Sequence, residues 1–535
     1  MKVLVAERIA EDGVDLLKKD FDVDVKIGLS KEQLLDIIGE YDGVIVRSAT
    51  KLTSDVLEKA VKLKVAGRAG TGVDNIDVDA ATRKGIVVVN TPDGNSVAAA
   101  ELTIGLIYSL FRNIPQAYAK GRIGDFRRSK IKGYELNEKV AGIIGFGRIG
   151  GLVAQRLKGS NMEVVAYDPY VSDDRFVSLG VRKCGTLDEL LACSDLITIH
   201  MAKTEQTVNM IGEEQFNKMK KGVRIVNAAR GGIIDEEALY KALIDGIVEG
   251  AALDVLKKEP NFELPPEEQT YKNKLLDLEN VIYVPHLGAS TLEAQYNVGV
   301  QIAKSVRAVL NGEMAPAVNM ASMSKQEFEE IRPFMQLAEK LGAMYFQTEQ
   351  SRLRKVEIKY SGDLLEKDTR LVTLAALKGL MDPIVEEGVN LVNAESWVVG
   401  RGIEVSVSKE KKLEKYNNLI TLTFTTDERV QSLSGTVFAQ EEIRIVDFYG
   451  YMIDFEPTPN VLAIQSIERP GLIGTIGTTL GNAECIISAM QWSRNKRGDK
   501  AVAFLSIDSS SGAETDILDQ LRKISGVIKV SAIRF

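Results

Sequence analysis

At roughly 100 to 200 residues per domain, 535 residues predict about three to five domains, each large enough to bury its own core. A hydrophobic content of 45% and a charged content of 27%, with no apolar run long enough for a bilayer, describe an ordinary globular chain and argue against a membrane protein. A net charge of −8 argues against phosphate-backbone binding as the main activity, so an anionic ligand must be met by a local site.

The first ninety residues alternate short apolar runs with helical patterns: KVLVAE (2–7), DVDVKI (22–27), DGVIVRS (42–48), KVAGRAG (64–70) and IVVVN (86–90). Strands separated by helices predict right-handed crossovers and a parallel sheet. The opening residues lack a signal-peptide pattern, which makes a cytoplasmic location the default expectation. A helical segment (96–111) and a basic stretch lead to a second series: VAGIIG (140–145), EVVAYD (163–168), DLITIH (195–200), VRIVNA (223–228), GAALDV (250–255) and VIYVPH (281–286). The fold class expected up to residue 290 is α/β, with two doubly wound parallel sheets. Cys184, Cys193 and Cys485 have no metal-ligand spacing and read as small buried apolar side chains in a reducing compartment.

A helical pattern after Ser290 ends at Gly312, and NGEMAPAVNM (311–320) reads as a linker. From about 327 to 451 the strands alternate apolar and polar residues, as in VEIKYSG and NLITLTFTT, predicting an α+β domain with one solvated sheet face and no catalytic constellation. Beyond EPTPN (456–460), the remaining residues give the order βαββαβ, which is ferredoxin-like.

The segment AGIIGFGRIGG holds G-x-G-x-x-G at Gly145, Gly147 and Gly150, between a strand and a helix. The next strand ends in Asp168, about 20 residues on, as the dinucleotide fingerprint requires. Gly145 suits a tight turn, Gly147 admits the backbone to a pyrophosphate, and Gly150 allows close helix packing, with helix N–H groups facing the anion. Asp168 suits ribose hydroxyls and repels a 2′-phosphate, favouring NAD over NADP. GRAGTGVDN (67–75) lacks the third glycine and the acidic strand end, so it is not a second such site.

Hydride transfer needs a proton acceptor and a cation for an anionic substrate. The chain has two histidines, and both His200 and His286 end strands. NAARGGIIDEEAL (227–239) places Arg230 after a strand, LDVLKKEP (253–260) places Glu259 after the next, and VPHLGAST follows. These segments resemble the D-isomer-specific 2-hydroxyacid dehydrogenase family over about residues 1–312. The resemblance implies Arg230 as the carboxylate anchor, Glu259 as the partner that orients His286 and raises its pKa, and His286 as acid and base. It implies NAD contacts from Thr71, Gly145, Gly147, Arg148, Ile149, Gly150, Asp168, His200, Ala228, Ala229, Arg230, Asp254, His286, Gly288 and Ala289, and no metal. It also implies a nucleotide domain (96–285) inserted into a substrate domain (1–95 with 286–312), which accounts for the late position of the glycines.

VRSATKLTSDVL (46–57), GRAGTGVDNID (67–77) and NTPDGNSVAAAELT (90–103) are similar to the branch of that family that acts on 3-phosphoglycerate. That similarity implies substrate contacts from Arg47, Ser48, Gly70 and Asn95. Arg127, Arg128 and Lys130 form a basic cluster that reads as a solvated face or as a phosphate contact from a neighbouring subunit. Residues 313–455 resemble an intervening allosteric substrate-binding domain. Residues 456–535 resemble an ACT regulatory module, which implies L-serine as effector, and the family resemblance implies a homo-oligomer, with a tetramer favoured. Two other readings are a glyoxylate or hydroxypyruvate reductase, and a non-catalytic NAD sensor similar to the C-terminal binding protein corepressors.

Overall fold

The computed structural model describes the whole chain except residues 263, 322, 350, 387, 412–414, 495–499 and 509–513. Its first sheet contains β1 (Lys2–Val5), β2 (Asp22–Val25), β3 (Gly43–Val46), β4 (Val65–Arg68) and β5 (Val87–Asn90), all parallel, in the order β2-β1-β3-β4-β5. The apolar runs are continuous because both faces of the sheet are covered; every residue of Gly43–Val46 is buried. The helix Leu292–Leu310 returns to this sheet and packs Val298, Ile302 and Val306 against Val3, Val5 and Ile45.

The second sheet contains β6 (Val140–Ile144), β7 (Glu163–Tyr167), β8 (Arg182–Lys183), β9 (Leu196–Ile199), β10 (Val223–Asn227), β11 (Val248–Leu253) and β12 (Val281–Tyr283). It is also parallel, in the order β12-β11-β10-β9-β6-β7-β8. The chain winds outward in opposite directions from β6 and β9, and in the first sheet from β1 and β3. Both sheets therefore have a switch point, where α/β folds open a crevice outside the carboxyl ends of the strands.

A third, mixed sheet holds β13 (Leu353–Gly362), β14 (Glu404–Glu410), β15 (Asn418–Thr426), β16 (Val430–Val437), β17 (Ile443–Phe448) and β18 (Tyr451–Phe455), in the order β14-β13-β15-β16-β17-β18. Burial alternates residue by residue along β15, as its sequence pattern requires. The helices Lys325–Thr348 and Arg370–Met381 share its core. The last unit has β19 (Asn460–Ile467), β20 (Ile486–Arg494), β21 (Lys500–Asp508) and β22 (Val527–Arg534), antiparallel in the order β20-β21-β19-β22. Leu462 and Ile464 face its own two helices, whereas Val461, Ala463 and Phe504 join the core of the preceding unit. The Phe504 ring stacks on Phe455 at 4.4 Å.

Some local expectations change. The strand predicted to reach His286 ends at Tyr283, because Pro285 has no N–H to give the ladder. The linker is docked: the Val318 N–H donates to the Val88 carbonyl (2.7 Å), and Asn319 Oδ1 accepts from the Val88 N–H (2.9 Å). It thereby covers the edge of the first sheet at β5. Cys184 and Cys485 are buried, but Cys193 is only partly so. Among the described residues no single helix is long and apolar enough to cross a membrane.

Candidate active site

The glycine loop leaves β6 at the second sheet's switch point. Gly145 has φ +90°, and a Cβ there would lie 2.6 Å from the His200 carbonyl oxygen. A Cβ at Gly150 would lie 2.2 Å from the Gly145 carbonyl oxygen, so the helix Arg148–Gly159 can approach the strand only with glycine at that position. Gly147 differs: it caps the helix at φ −70°, and a Cβ there meets nothing within 4 Å. The open side of Gly147 suits a pyrophosphate at a helix N-terminus. Asp168, nearly buried just after β7, holds the loop through Oδ2, which accepts from the Phe146 N–H at 2.8 Å; its Oδ1 accepts from the Tyr170 N–H at 2.9 Å. Arg148 forms an ion pair with Asp93, in the loop after β5.

The two histidines separate by environment. His200, just beyond β9, is partly buried, with Nδ1 shielded from solvent; Nε2 meets Thr198 Oγ1 at 2.9 Å, and Nδ1 has no partner. Burial pushes its pKa down to about 3, so it stays neutral and lies behind Gly145. His286 sits in a left-handed turn with φ +55°. Its N–H donates to the Asp254 carbonyl at 3.0 Å, and the Asp254 carboxylate accepts the next two N–H groups, of Leu287 at 2.6 Å and Gly288 at 3.0 Å. Asp254, beneath the turn, thus sets the direction of the imidazole; burial raises its own pKa.

The Nδ1 of His286 lies 3.0 Å from Glu259 Oε1 and 3.2 Å from Oε2. This hydrogen bond raises the His286 pKa against the opposing effect of burial. With Nδ1–H donating to the carboxylate, Nε2 is the nitrogen left to exchange a proton.

A cationic wall faces this pair. Asn227 ends β10 and clamps the following loop, its Oδ1 accepting from the Ala229 N–H and its Nδ2 donating to the Arg230 carbonyl, each at 3.0 Å. The Arg230 side chain reaches the loop after β4, where Nε lies 3.4 Å from Asp74 Oδ2. Arg68 ends β4; burial and the neighbouring Arg230 push its pKa down to about 10, and its buried Nε has no partner. Glu7 holds the loop after β3 by accepting from the N–H groups of Arg47 and Thr50, each at 2.8 Å, and Arg47 Nη1 touches the Arg8 carbonyl at 3.5 Å.

A cleft of about 770 Å³ brings together Arg47, Ser48, Gly70, Glu259, His286 and Ala289, with Arg8 and Arg68 in the same wall. The sequence reading overlooked these last two arginines. Their signal was a charge at the carboxyl end of an apolar strand, where ligands are met. Thr71 and Asn95 are joined by a 2.7 Å hydrogen bond, and Gly288 is buried against Asp254 rather than facing the cleft. Arg127 is exposed and held by Asp125; Arg128 is also exposed, and the Lys130 side chain lies outside the described residues.

Residues 104–288 match the family model for the NAD-binding domain of D-isomer-specific 2-hydroxyacid dehydrogenases, and residues 330–449 match that for the D-3-phosphoglycerate dehydrogenase intervening domain. The chain is 42% identical to the D-3-phosphoglycerate dehydrogenase of Methanocaldococcus jannaschii over 534 residues, covering all of this chain and 99% of that one. It is also 42% identical to that of Archaeoglobus fulgidus over 537 residues, covering both chains in full. Among solved structures it resembles a D-lactate dehydrogenase from Aquifex aeolicus complexed with NAD and lactic acid, at 29% identity and a TM-score of 0.54, covering 60% of this chain and all of that one. The chain belongs to the D-3-phosphoglycerate dehydrogenase family, within the D-isomer-specific 2-hydroxyacid dehydrogenases.

Proposed function

We propose that this protein oxidises 3-phosphoglycerate at C2 to 3-phosphohydroxypyruvate with NAD, opening the route to L-serine. The observation that carries this reading is the Glu259–His286 pair facing Arg8, Arg47 and Arg68 across one cleft. Arg230 holds the substrate carboxylate bidentately and fixes the face presented for reaction. Neutral His286 accepts the C2 hydroxyl proton at Nε2, and Glu259 stabilises the resulting imidazolium through Nδ1–H. NAD, when bound, supplies the acceptor for the C2 hydride. Arg47 and Ser48, together with Arg8 and Arg68, bind the phosphate end, whose charge explains why several cations share one wall. The glycine loop and Asp168 hold the nucleotide.

The test is NADH formation from 3-phosphoglycerate by the purified protein, against a panel of unphosphorylated 2-hydroxy acids. Activity that needs no phosphate favours a glyoxylate or hydroxypyruvate reductase. NADH binding without turnover of any acid favours the sensor reading.

A homo-oligomer is part of the same proposal. Tyr118, Ile123 and Phe126 are well exposed on the nucleotide domain, with Ile123 81% and Phe126 79% exposed, and a second copy is the partner that fits this apolar face. Arg128 then reaches a neighbouring cleft, and Arg128→Ala raises the KM for 3-phosphoglycerate; an unchanged KM removes it from the site. L-serine binding at the ferredoxin-like unit, which shares its core with the intervening unit, provides feedback. Calorimetry and kinetics that both show no response to serine reject that part alone.

A further inference from the structure

We infer that Arg175 is a positioning residue of the nucleotide site, acting by holding two successive carbonyls of the glycine loop from behind. The inference rests on the NAD reading above. Arg175 lies in the short helix Asp173–Leu179 that follows β7, and its fork spans the loop: Nε donates to the Phe146 carbonyl at 3.0 Å and Nη2 to the Gly147 carbonyl at 2.9 Å. In a trans peptide the C=O and N–H point in opposite directions. Drawing both carbonyls toward one guanidinium therefore turns the N–H groups of Gly147 and Arg148 the other way, away from Arg175.

The Gly147 carbonyl also accepts from the Gly151 N–H at 3.0 Å at the start of the helix, whereas the Phe146–Gly147 peptide precedes the helix and relies on Arg175. Glycine at 147 leaves φ and ψ little restricted, and a Cβ there would meet nothing within 4 Å. The Phe146 N–H is fixed by Asp168, so the loop is gripped from both ends of that residue: a carboxylate on its N–H and a guanidinium on its C=O. The fork is itself located by packing. The Arg175 guanidinium lies 6.0 Å from the centre of the Phe146 ring, which stacks on Phe176 at 4.6 Å. A planar, always charged group with two parallel donors suits this task, and the ammonium of lysine does not. Its charge also opposes the partial negative charge of the two carbonyls, which would otherwise repel a pyrophosphate.

The experiment compares Arg175→Met, which keeps an unbranched stem over Phe146, and Arg175→Lys with the unsubstituted protein. Calorimetry with ADP-ribose reports the pyrophosphate end without nicotinamide, and amide hydrogen exchange of residues 145–149 in the nucleotide-free protein reports the loop. The expected result is an ADP-ribose affinity about tenfold weaker in R175M and only partly restored in R175K, with faster exchange in the loop. The KM for NAD rises by the same factor, and kcat at saturating NAD stays within about twofold. Affinity within twofold of the parent in R175M, or unchanged exchange, overturns the role of Arg175, whatever the thermal midpoint does. No ADP-ribose binding by the unsubstituted protein overturns the nucleotide reading and this inference together.

Discussion

Replacing Gly147 and Gly150 one at a time by alanine separates binding from folding at a single loop. At Gly147 the new methyl meets nothing within 4 Å, and φ −70° is open to any residue. Alanine gains about 0.4–1 kcal/mol by restricting the unfolded chain. As an N-cap it loses a similar amount, on the order of 0.5–1 kcal/mol. The free energy of unfolding therefore changes by less than about 0.5 kcal/mol. The methyl does, however, occupy the side from which a pyrophosphate must approach, and NADH affinity falls at least about tenfold, or about 1.4 kcal/mol. At Gly150 the methyl lies 2.2 Å from a backbone oxygen that cannot rotate away. Overpacking of that kind costs about 1–3 kcal/mol, so G150A loses stability before any ligand is added. Urea unfolding and calorimetric titration with NADH measure both quantities. NADH affinity within about twofold of the parent in G147A refutes the placement of the pyrophosphate. Unchanged stability in G150A refutes the packing argument.

Other tests address the chemistry and the two histidines. His286→Ala lowers kcat by about 10²–10⁴ while NADH binding is kept; a loss of binding in proportion to kcat would make His286 a structural residue. Glu259→Gln replaces the charged acceptor that raises the His286 pKa with a neutral one, so the acidic limb of the kcat/KM profile for oxidation moves to lower pH. A limb that stays in place shows that another group titrates. His200 has a folded pKa lowered to about 3 from 6.5, so the unfolded chain binds its proton more readily, and stability falls as pH drops from 6.5 toward 3. His200→Gln flattens that part of the unfolding curve, and an unaltered slope assigns the acid sensitivity elsewhere. Arg230→Lys keeps the charge and loses the bidentate fork, so kcat/KM falls by at least about tenfold; near-normal kinetics would argue against a carboxylate clamp.

Local pattern was readable where the chain's own neighbours set it. The parallel sheets follow from apolar runs separated by helical periods, and the roles of Gly145 and Gly150 follow from a strand, a turn and a helix within a dozen residues. The long helix Lys325–Thr348 was missed, although Ser324 and Glu327 form a capping box that the sequence displays. Its apolar residues were obscured by the charges of its exposed face.

The identity of the nucleotide fingerprint and the chain order of arginine, glutamate and histidine are properties of the sequence, because each depends on residue type and spacing. Tertiary structure gave the two histidines different surroundings. Crossovers bring Glu259 to His286 and leave His200 partly buried beside a threonine, and no local pattern distinguishes those surroundings. It also placed Arg8, Arg47 and Arg68, from three separate strand ends, in the wall facing His286. Partners and burial depend on how distant segments return to one cleft, and that is settled only when the sheets close around it.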